Sequence, residues 1–74
     1  MSTITWGDTV RVKAGAPLAM RPGANAAVCS ITRIENDQQS KAYNAAIGTT
    51  MYLVEFGDGA SIEVPEEWIE AVER

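Results

Sequence analysis

The stretch YLVEFGDGASIEVP, residues 52–65, decides the fold of this chain. In it, two segments of alternating apolar and polar residues flank a Gly-Asp-Gly turn, and a proline ends the second segment. Alternation with a period of two is typical of a β-strand, and a short turn rich in glycine and aspartate is typical of the reversal between antiparallel strands. The stretch therefore predicts a β-hairpin, to which the other strands are added.

The first strand of this hairpin is apolar on both of its faces. Tyr52, Val54 and Phe56 share one face, and Met51 and Leu53 share the other. In a small sheet, one face is normally polar because it meets water. We therefore expect Met51 and Leu53 to form an outer patch that contacts another subunit. Cover on both sides of the strand is the alternative.

Two earlier stretches also have strand character. Residues 9–13 alternate cleanly, and residues 26–35 are rich in β-branched side chains. In the second stretch, however, Val28, Ile31 and Ile34 are spaced three apart. This break in the alternation predicts a β-bulge in the strand, with a short helix as the alternative.

Two long connections separate these strands. Residues 14–25 contain two glycines and two prolines, which predict a loop. We expect Leu18 and Met20 to tuck under it, with exposure to a partner as the alternative. Residues 36–48 have no β character, and they predict a long loop with one helical turn near 43–47. Such a loop would make one wall of a ligand site.

The end of the chain completes the fold. Residues 65–70 begin with proline and two acids, which favours one helical turn before a short closing strand at 71–73. Together, the elements predict an all-β fold, a small five-stranded antiparallel barrel. The 74 residues make one domain, in which we expect residues 1–5 to be flexible.

Size and composition limit how the chain is stabilised and where it works. A chain this short buries only about 60% of its unfolded surface. Its single cysteine, Cys29, closes no intrachain disulfide, which leaves good packing or self-association as the stabilisers. Of the two, we expect self-association into a homo-oligomer. We expect Cys29 to be a buried structural thiol. The unpaired thiol, the lack of a signal peptide and the lack of a run of about 20 apolar residues favour a cytoplasmic protein without a membrane span.

The order of turns and strands resembles the Src-homology-3-like barrels of bacteria. The matching residues are Gly7-Asp8 before the first strand, Pro22-Gly23 in the first loop, the hairpin, and Trp68-Ile69 in the helical turn. Residues 6–73 are similar in layout to the C-terminal domain of the nitrile hydratase beta subunit and to the plasmid type II dihydrofolate reductases. The resemblance implies an oligomerising barrel, of the kind that integron cassettes and other mobile elements carry.

The resemblance to the reductases does not extend to their functional residues. The family opens with Gly-Asp-x-Val-Arg-Lys-Lys-x-Gly-Ala, to which residues 7–16 are similar. The family's substrate-binding lysine falls on Val12, however, and its pore-lining Gln-Ile-Tyr falls on residues 62–64. The resemblance therefore implies the fold without the reductase activity. An oligomeric enzyme with a shared pore, using Glu63, Tyr52 or Lys13, is the alternative function.

Charge and composition weigh against two other classes of function. The chain has no histidine, which removes the commonest general base and metal ligand, so we expect no catalytic residues, metal or cofactor. The net charge is −4, and a nucleic-acid-binding domain is normally basic. Binding of nucleic acid through Arg11, Lys13, Arg21 and Arg33 is therefore the weakest alternative.

Aromatic and acidic residues supply the candidate binding site. Trp6, Tyr43 and Trp68 could line a groove for a peptide or a cation, although packing of Trp6 over one end of the core is also expected. Glu63 could oppose Glu55 across the hairpin and bind a ligand there. The sequence thus predicts a non-enzymatic binding module whose ligand is a protein, a peptide or a small molecule.

Overall fold

The computed structural model describes residues 4–72, which form one antiparallel sheet with a single α-helix and two short 3-10 turns. The strands are β1 (Thr9–Val12), β2 (Asn25–Arg33), β3 (Thr50–Glu55), β4 (Ser61–Pro65) and β5 (Ile69–Ala71). The helix is α1 (Asp37–Tyr43), and the 3-10 turns span Leu18–Met20 and Glu66–Trp68. The predicted all-β fold of five strands, with one helical turn before the last strand, is confirmed, but the last strand starts at Ile69 and not at the predicted residue 71. Residue 73 of the predicted strand and residues 1–3 of the predicted flexible segment lie outside the described residues.

The sheet has the strand order β4-β3-β2-β1-β5, and every neighbouring pair is antiparallel. In the predicted hairpin, Val54 pairs with Ile62 and Leu53 pairs with Glu63. The turn between them is closed because the amide of Phe56 donates to the carbonyl of Ala60 at 2.9 Å. The register places Glu63 on the opposite face of the sheet from Tyr52 and Val54, since neighbouring residues of a strand alternate.

The β-bulge predicted in the second strand is present. The pairing of β2 with β3 changes register between Val28 and Ser30, so Cys29 is the extra residue of β2. A bulge bends its strand and lets residues three apart point to one side. It also explains why Cys29 is exposed, and the prediction that Cys29 is a buried thiol is wrong.

The core lies on the inner face of the sheet. Its buried residues are Val10, Val12, Ala16, Ala26, Val28, Val54, Phe56, Val64 and Ile69. Four of the five strands contribute valine to it, because a β-branched side chain packs well on a pleated surface. Tyr52, Ile62 and Trp68 are half-buried against this cluster.

The helix lies where the sequence predicted a loop. Asn36 caps the start of α1, because its Oδ1 atom accepts a hydrogen bond from the amide of Gln39 at 2.9 Å. Gln39 Oε1 also accepts one from the amide of Glu35, the residue before Asn36, at 2.7 Å. The first bond occupies an amide that the first turn of a helix leaves without a partner, and the second holds the chain where it enters the helix. The helical turn predicted at residues 43–47 is therefore wrong in position, since the helix ends at Tyr43.

Trp6 and Leu18 contradict the sequence prediction, whereas Met20 confirms it. Trp6 is 68% exposed and does not close one end of the core, and Leu18 is 89% exposed and does not tuck under its loop. Met20 does tuck, since it packs against the core. The 3-10 turn separates the two, because residues two apart on such a turn point in different directions.

The expected outer patch at Met51 and Leu53 is wrong for Met51. Met51 is only 3% exposed, whereas Leu53 is half-buried. Met51 and Ile34 are both buried outside the main core cluster. Met51 pairs with Thr32 of β2, and the amide of Ile34, directly after β2, donates to the carbonyl of Thr49, directly before β3. This face is therefore covered within one chain at the end of the sheet near α1, and open near Leu53.

Candidate functional site

A cavity of about 330 Å³ lies between the end of α1 and the outer face of the β3-β4 hairpin. We call it the Tyr43–Glu63 pocket. Its walls are Met20, Ala42, Tyr43, Asn44, Ala45, Met51, Glu63 and Pro65. Two of the predicted ligand-binding residues, Tyr43 and Glu63, thus line one cavity, although the sequence placed them in separate sites.

Glu63 is the unusual residue of the pocket. Its Oε2 atom is buried, and no described residue donates a hydrogen bond to it. Burial raises the pKa of the Glu63 carboxyl, because the charged form loses solvation. Strand β4 holds the residue in place, since Glu63 pairs with Leu53 in the middle of the hairpin. Glu63 therefore brings to the wall of the pocket a carboxyl group that has one buried oxygen without a partner among the described residues.

The opposite wall is fixed by the way in which α1 ends. Asn44 adopts the left-handed conformation at φ 53°, and its amide donates to the carbonyl of Ser40. The chain then turns so that the Ser40 hydroxyl donates to the carbonyl of Ala45 at 2.6 Å. These two bonds tie the segment after the helix to the helix itself. Tyr43, half-buried, is held beside the cavity as a result.

The remaining walls of the pocket are apolar. Met20 and Met51 bring flexible thioether side chains, and Pro65 brings a rigid ring. Met51 and Pro65 pair across β3 and β4, so both lie on the face that carries Glu63. The lining thus combines one carboxylate with an aromatic ring and apolar surface.

A second cavity, of about 420 Å³, adjoins the first. We call it the Glu66–Glu67 cavity. The two share Asn44, Ala45 and Pro65, and the remaining walls of the second are Ala46, Thr49, Glu66 and Glu67. The Oε1 atom of Glu66 accepts a hydrogen bond from the amide of Thr50 at 3.3 Å, which anchors this carboxylate to the start of β3.

The predicted aromatic groove is not assembled. The amide of Gly7, next to Trp6, donates to the carbonyl of Val28, whereas the amide of Lys13 donates to the carbonyl of Trp68. Trp6 and Trp68 therefore lie near opposite ends of β1, whose four residues span about 13 Å at the rise of an extended strand. The Trp68 ring packs against Gly15, 3.7 Å from the position that a Cβ atom on this glycine would occupy. Neither tryptophan lines the Tyr43–Glu63 pocket.

The structure also differs from the predicted pairing of Glu63 with Glu55 and from the predicted pore with Tyr52 and Glu63. Glu55 pairs with Ser61, so Glu63 opposes Leu53 and not Glu55. Tyr52 lies on the inner face, away from Glu63, and burial raises the pKa of its phenol. Among residues 4–72, no three histidine, cysteine or acidic side chains lie close enough together to hold a metal ion.

Two of the four residues considered for nucleic-acid binding are engaged in ion pairs. Arg11 Nε lies 3.5 Å from Glu70 Oε1, and Arg21 Nη1 lies 3.0 Å from Asp58 Oδ1. The Arg21 guanidinium also lies over the Phe56 ring, 4.7 Å from its centroid. The charges of both arginines are therefore partly neutralised by acids of the same chain.

Comparison of the chain with protein-family models, with curated proteins and with solved structures gives no match. Within the described part of the chain, no helix combines the length and the apolar character needed to cross a bilayer. The geometry of this protein's own residues is therefore the basis for a functional hypothesis.

Sequence reasoning missed six residues of the site, which were assigned to loops, to an outer patch or to the end of a strand. They are Met20, Ala42, Asn44, Ala45, Met51 and Pro65. A signal for the helix was present, because Asn36 and Gln39 have the spacing of a capping pair. A helix that starts at residue 37 brings Tyr43 and Asn44 to its end.

Proposed function

We propose that this chain is a non-enzymatic binding module and that the Tyr43–Glu63 pocket holds its ligand. The observation that carries the proposal is the buried Oε2 atom of Glu63, which has no hydrogen-bond donor among the described residues. A buried polar group without a partner costs about 1–3 kcal/mol, and more when it is charged. Because this oxygen is closed to solvent in the free chain, a ligand that donates a hydrogen bond to the carboxyl group removes the cost when the side chain turns the oxygen into the pocket.

The lining indicates what such a ligand must carry. A carboxylate favours a positively charged donor, and Tyr43, Met20, Met51 and Pro65 favour an apolar body next to that donor. A volume of about 330 Å³ is at the small end of the range of ligand pockets. The ligand is therefore a small organic cation, or a cationic side chain of a partner.

The arrangement favours binding over catalysis. The titratable residues among the pocket's described walls are Tyr43 and Glu63. The other residues that a pore enzyme would use lie elsewhere, since Tyr52 is on the inner face and Lys13 is beside Trp68. One carboxyl group and one phenol can hold a ligand, and the described walls of the pocket bring no serine, threonine, cysteine or lysine side chain beside them to act as a nucleophile.

The test is a titration of the isotope-labelled full chain, followed by amide chemical shifts. Three probes of matched size are n-butylammonium, butyramide and butyrate, which are a cation, a neutral donor and an anion. We expect shifts at Tyr43, Asn44, Met51 and Glu63 with the ammonium, weaker ones with the amide, and none with butyrate. Glu63→Gln keeps the shape of the side chain and should abolish most of the ammonium response.

Glu55→Gln is the matched control, because Glu55 is an exposed acid of the same hairpin and does not line the pocket. It should leave the response unchanged. The proposal fails if none of the three probes shifts the pocket amides. It also fails if butyrate shifts them as strongly as the ammonium, or if the Glu63→Gln variant responds like the wild type.

We also propose that the chain is a cytoplasmic, Src-homology-3-like barrel that self-associates through the open part of the outer face around Leu53. Leu53 is half-buried between Ser30 and Glu63 in the sheet. Light scattering after size exclusion tests this, with an oligomer expected for the wild type and a monomer for Leu53→Thr. Leu18→Thr, which removes another exposed leucine, is the control that should stay oligomeric. A wild type that is monomeric at high concentration rules the interface out.

A further inference from the structure

The turn of the β3-β4 hairpin contains an aspartate that is followed by a glycine, Asp58-Gly59, and both residues are exposed. The other two aspartates of the chain, Asp8 and Asp37, are followed by threonine and glutamine. Because glycine has no Cβ atom, its amide nitrogen can come closest to the carboxyl group of the residue before it. Of the three aspartates, Asp58 is therefore the least hindered for a reaction between its side chain and the main chain.

The reaction open to an aspartate before a glycine is conversion to isoaspartate. The Gly59 nitrogen bonds to Cγ of Asp58 and loses its proton, and one carboxyl oxygen leaves as water, which gives a five-membered succinimide ring. Water then adds to the main-chain carbonyl carbon of Asp58 and breaks the bond from that carbon to the nitrogen. The main chain now runs through Cβ and Cγ, and the former carbonyl carbon carries a free carboxylate. The water lost in the first step is regained in the second, so no other reactant is needed.

Hydrogen bonds restrain both reacting groups in the folded chain. Asp58 Oδ1 accepts one from Arg21 Nη1 at 3.0 Å and one from the amide of Ala60 at 3.2 Å. The amide of Gly59 donates to the carbonyl of Phe56 at 3.0 Å. The bond from Arg21 also lowers the pKa of the Asp58 carboxyl and so favours the charged form, which loses water less readily. The ring can close only when these bonds open.

We propose that Asp58-Gly59 is a site of spontaneous isoaspartate formation and that the hydrogen bond from Arg21 controls how fast isoaspartate forms. Both side chains of this pair are exposed, and an exposed ion pair contributes little stability, so it opens and closes in the folded chain. The product has one more main-chain atom between Phe56 and Ala60, whose hydrogen bond at 2.9 Å closes the turn. Isoaspartate at this position therefore weakens the closure of the hairpin.

The test is to incubate the full chain at pH 7 and to follow isoaspartate by liquid chromatography and mass spectrometry of tryptic peptides. Trypsin cleaves after Lys41, and the peptide of residues 42–74 contains Asp58 as its single aspartate. An isomer of this peptide with unchanged mass therefore reports on Asp58, and electron-based fragmentation confirms the position. We expect Arg21→Ala to form isoaspartate about two- to fivefold faster than the wild type, which is the factor that one exposed ion pair supplies.

Arg11→Ala is the matched control, because it removes the same charge and the ion pair with Glu70. It should isomerise at the rate of the wild type, and circular dichroism checks that both variants keep the fold. Two measurements on the wild type do not depend on any variant. Added salt screens the pair and should raise the rate toward that of Arg21→Ala. Unfolding in concentrated urea removes all three hydrogen bonds and should raise it at least about tenfold.

Three results overturn the inference. A rate that neither Arg21→Ala nor added salt increases would mean that Arg21 does not restrain the reaction. An equal increase in Arg11→Ala would assign the effect to the net charge of the chain and not to the contact with Asp58. A tryptic peptide 42–74 without an isomer, even after incubation in urea, would exclude the site.

Discussion

Arg21 Nη1 donates a hydrogen bond to Asp58 Oδ1 at 3.0 Å and thereby ties the first long loop to the turn of the β3-β4 hairpin, 37 residues further along the chain. The guanidinium lies over the Phe56 ring, 4.7 Å from its centroid. The hydrogen bond from Arg21 holds the pKa of the Asp58 carboxyl below its ordinary value. Arg21 itself has a positive φ of 59°. The contact therefore holds a left-handed residue of the loop against the turn that sets the pairing of β3 with β4.

Asp58 gives the protein a stability that is lost in acid. Since its pKa is lower in the folded chain than in the unfolded chain, its contribution is complete above the ordinary pKa and disappears as the pH falls through the lowered value. Asp58→Asn keeps an oxygen for the amide of Ala60 but removes the charge. We expect it to lower the urea midpoint at pH 7 slightly and to flatten its acid dependence. Added salt should reduce the difference, because the pair is exposed.

Glu63 has the opposite pH dependence. Its pKa is higher in the folded chain, so the folded state holds more protons than the unfolded state between the two values. The free energy of unfolding therefore falls as the pH rises from the ordinary pKa through the raised one. Glu63→Gln should be more stable than the wild type at pH 7 and equally stable well below the ordinary pKa, as urea denaturation at the two pH values would show. A variant that is less stable at pH 7 would mean that the carboxylate has a partner in the free protein.

Met51 tests whether the outer face of β3 is covered within one chain. Met51 is 3% exposed. Met51→Ala should therefore lose about 2–5 kcal/mol of stability in urea denaturation, because it removes a buried side chain and leaves a cavity. Met51→Leu nearly conserves volume and should cost less than about 1.5 kcal/mol. Leu18→Ala, at an 89% exposed position, should change stability by no more than about 0.5 kcal/mol. Equal effects for Met51→Ala and Leu18→Ala would contradict the burial.

Asn44 tests the geometry of the pocket wall. Its φ of 53° is accessible to glycine and asparagine but is strained for a β-branched residue. Asn44→Gly should retain the stability of the wild type to within about 0.5 kcal/mol, whereas Asn44→Val should lose about 1–2 kcal/mol or more. Thermal unfolding of the two variants gives the comparison. Equal melting temperatures would place Asn44 outside the left-handed region.

The hairpin and the bulge were predictable because both follow from local patterns. Period-two alternation, the Gly-Asp-Gly turn and the closing proline define β3 and β4, and the three-residue spacing from Val28 to Ile31 marks the register shift. Periodicity shows which residues share a face but not what covers that face. Met51 was therefore expected to contact another subunit, although it is buried on the outer face and shares the wall of one cavity with Tyr43 of the same chain.

The site itself was predictable only as separate residues. Tyr43 and Glu63 were both chosen, one for its ring and one for its charge, and each was paired with the wrong partner. They meet because α1 starts at residue 37 and ends beside β4, and that relation depends on long-range packing. The groove predicted from Trp6 and Trp68 is not formed for the same reason, since the pairing of β1 with β2 and β5 places the two residues near opposite ends of a strand.

Because α1 is short, the pocket depends on the local equilibrium between the folded and the unfolded form of this helix. Isolated helices shorter than about 12–15 residues are marginal in water, and α1 has seven residues, none of them buried. Its bonds at Asn36 and Ser40 hold it in place while most of the sheet's core lies elsewhere. Residues 37–45 should therefore exchange amide hydrogen faster than β2 and β3. A molecule that contacts Tyr43 slows this exchange, because it selects the helical form of its own binding wall.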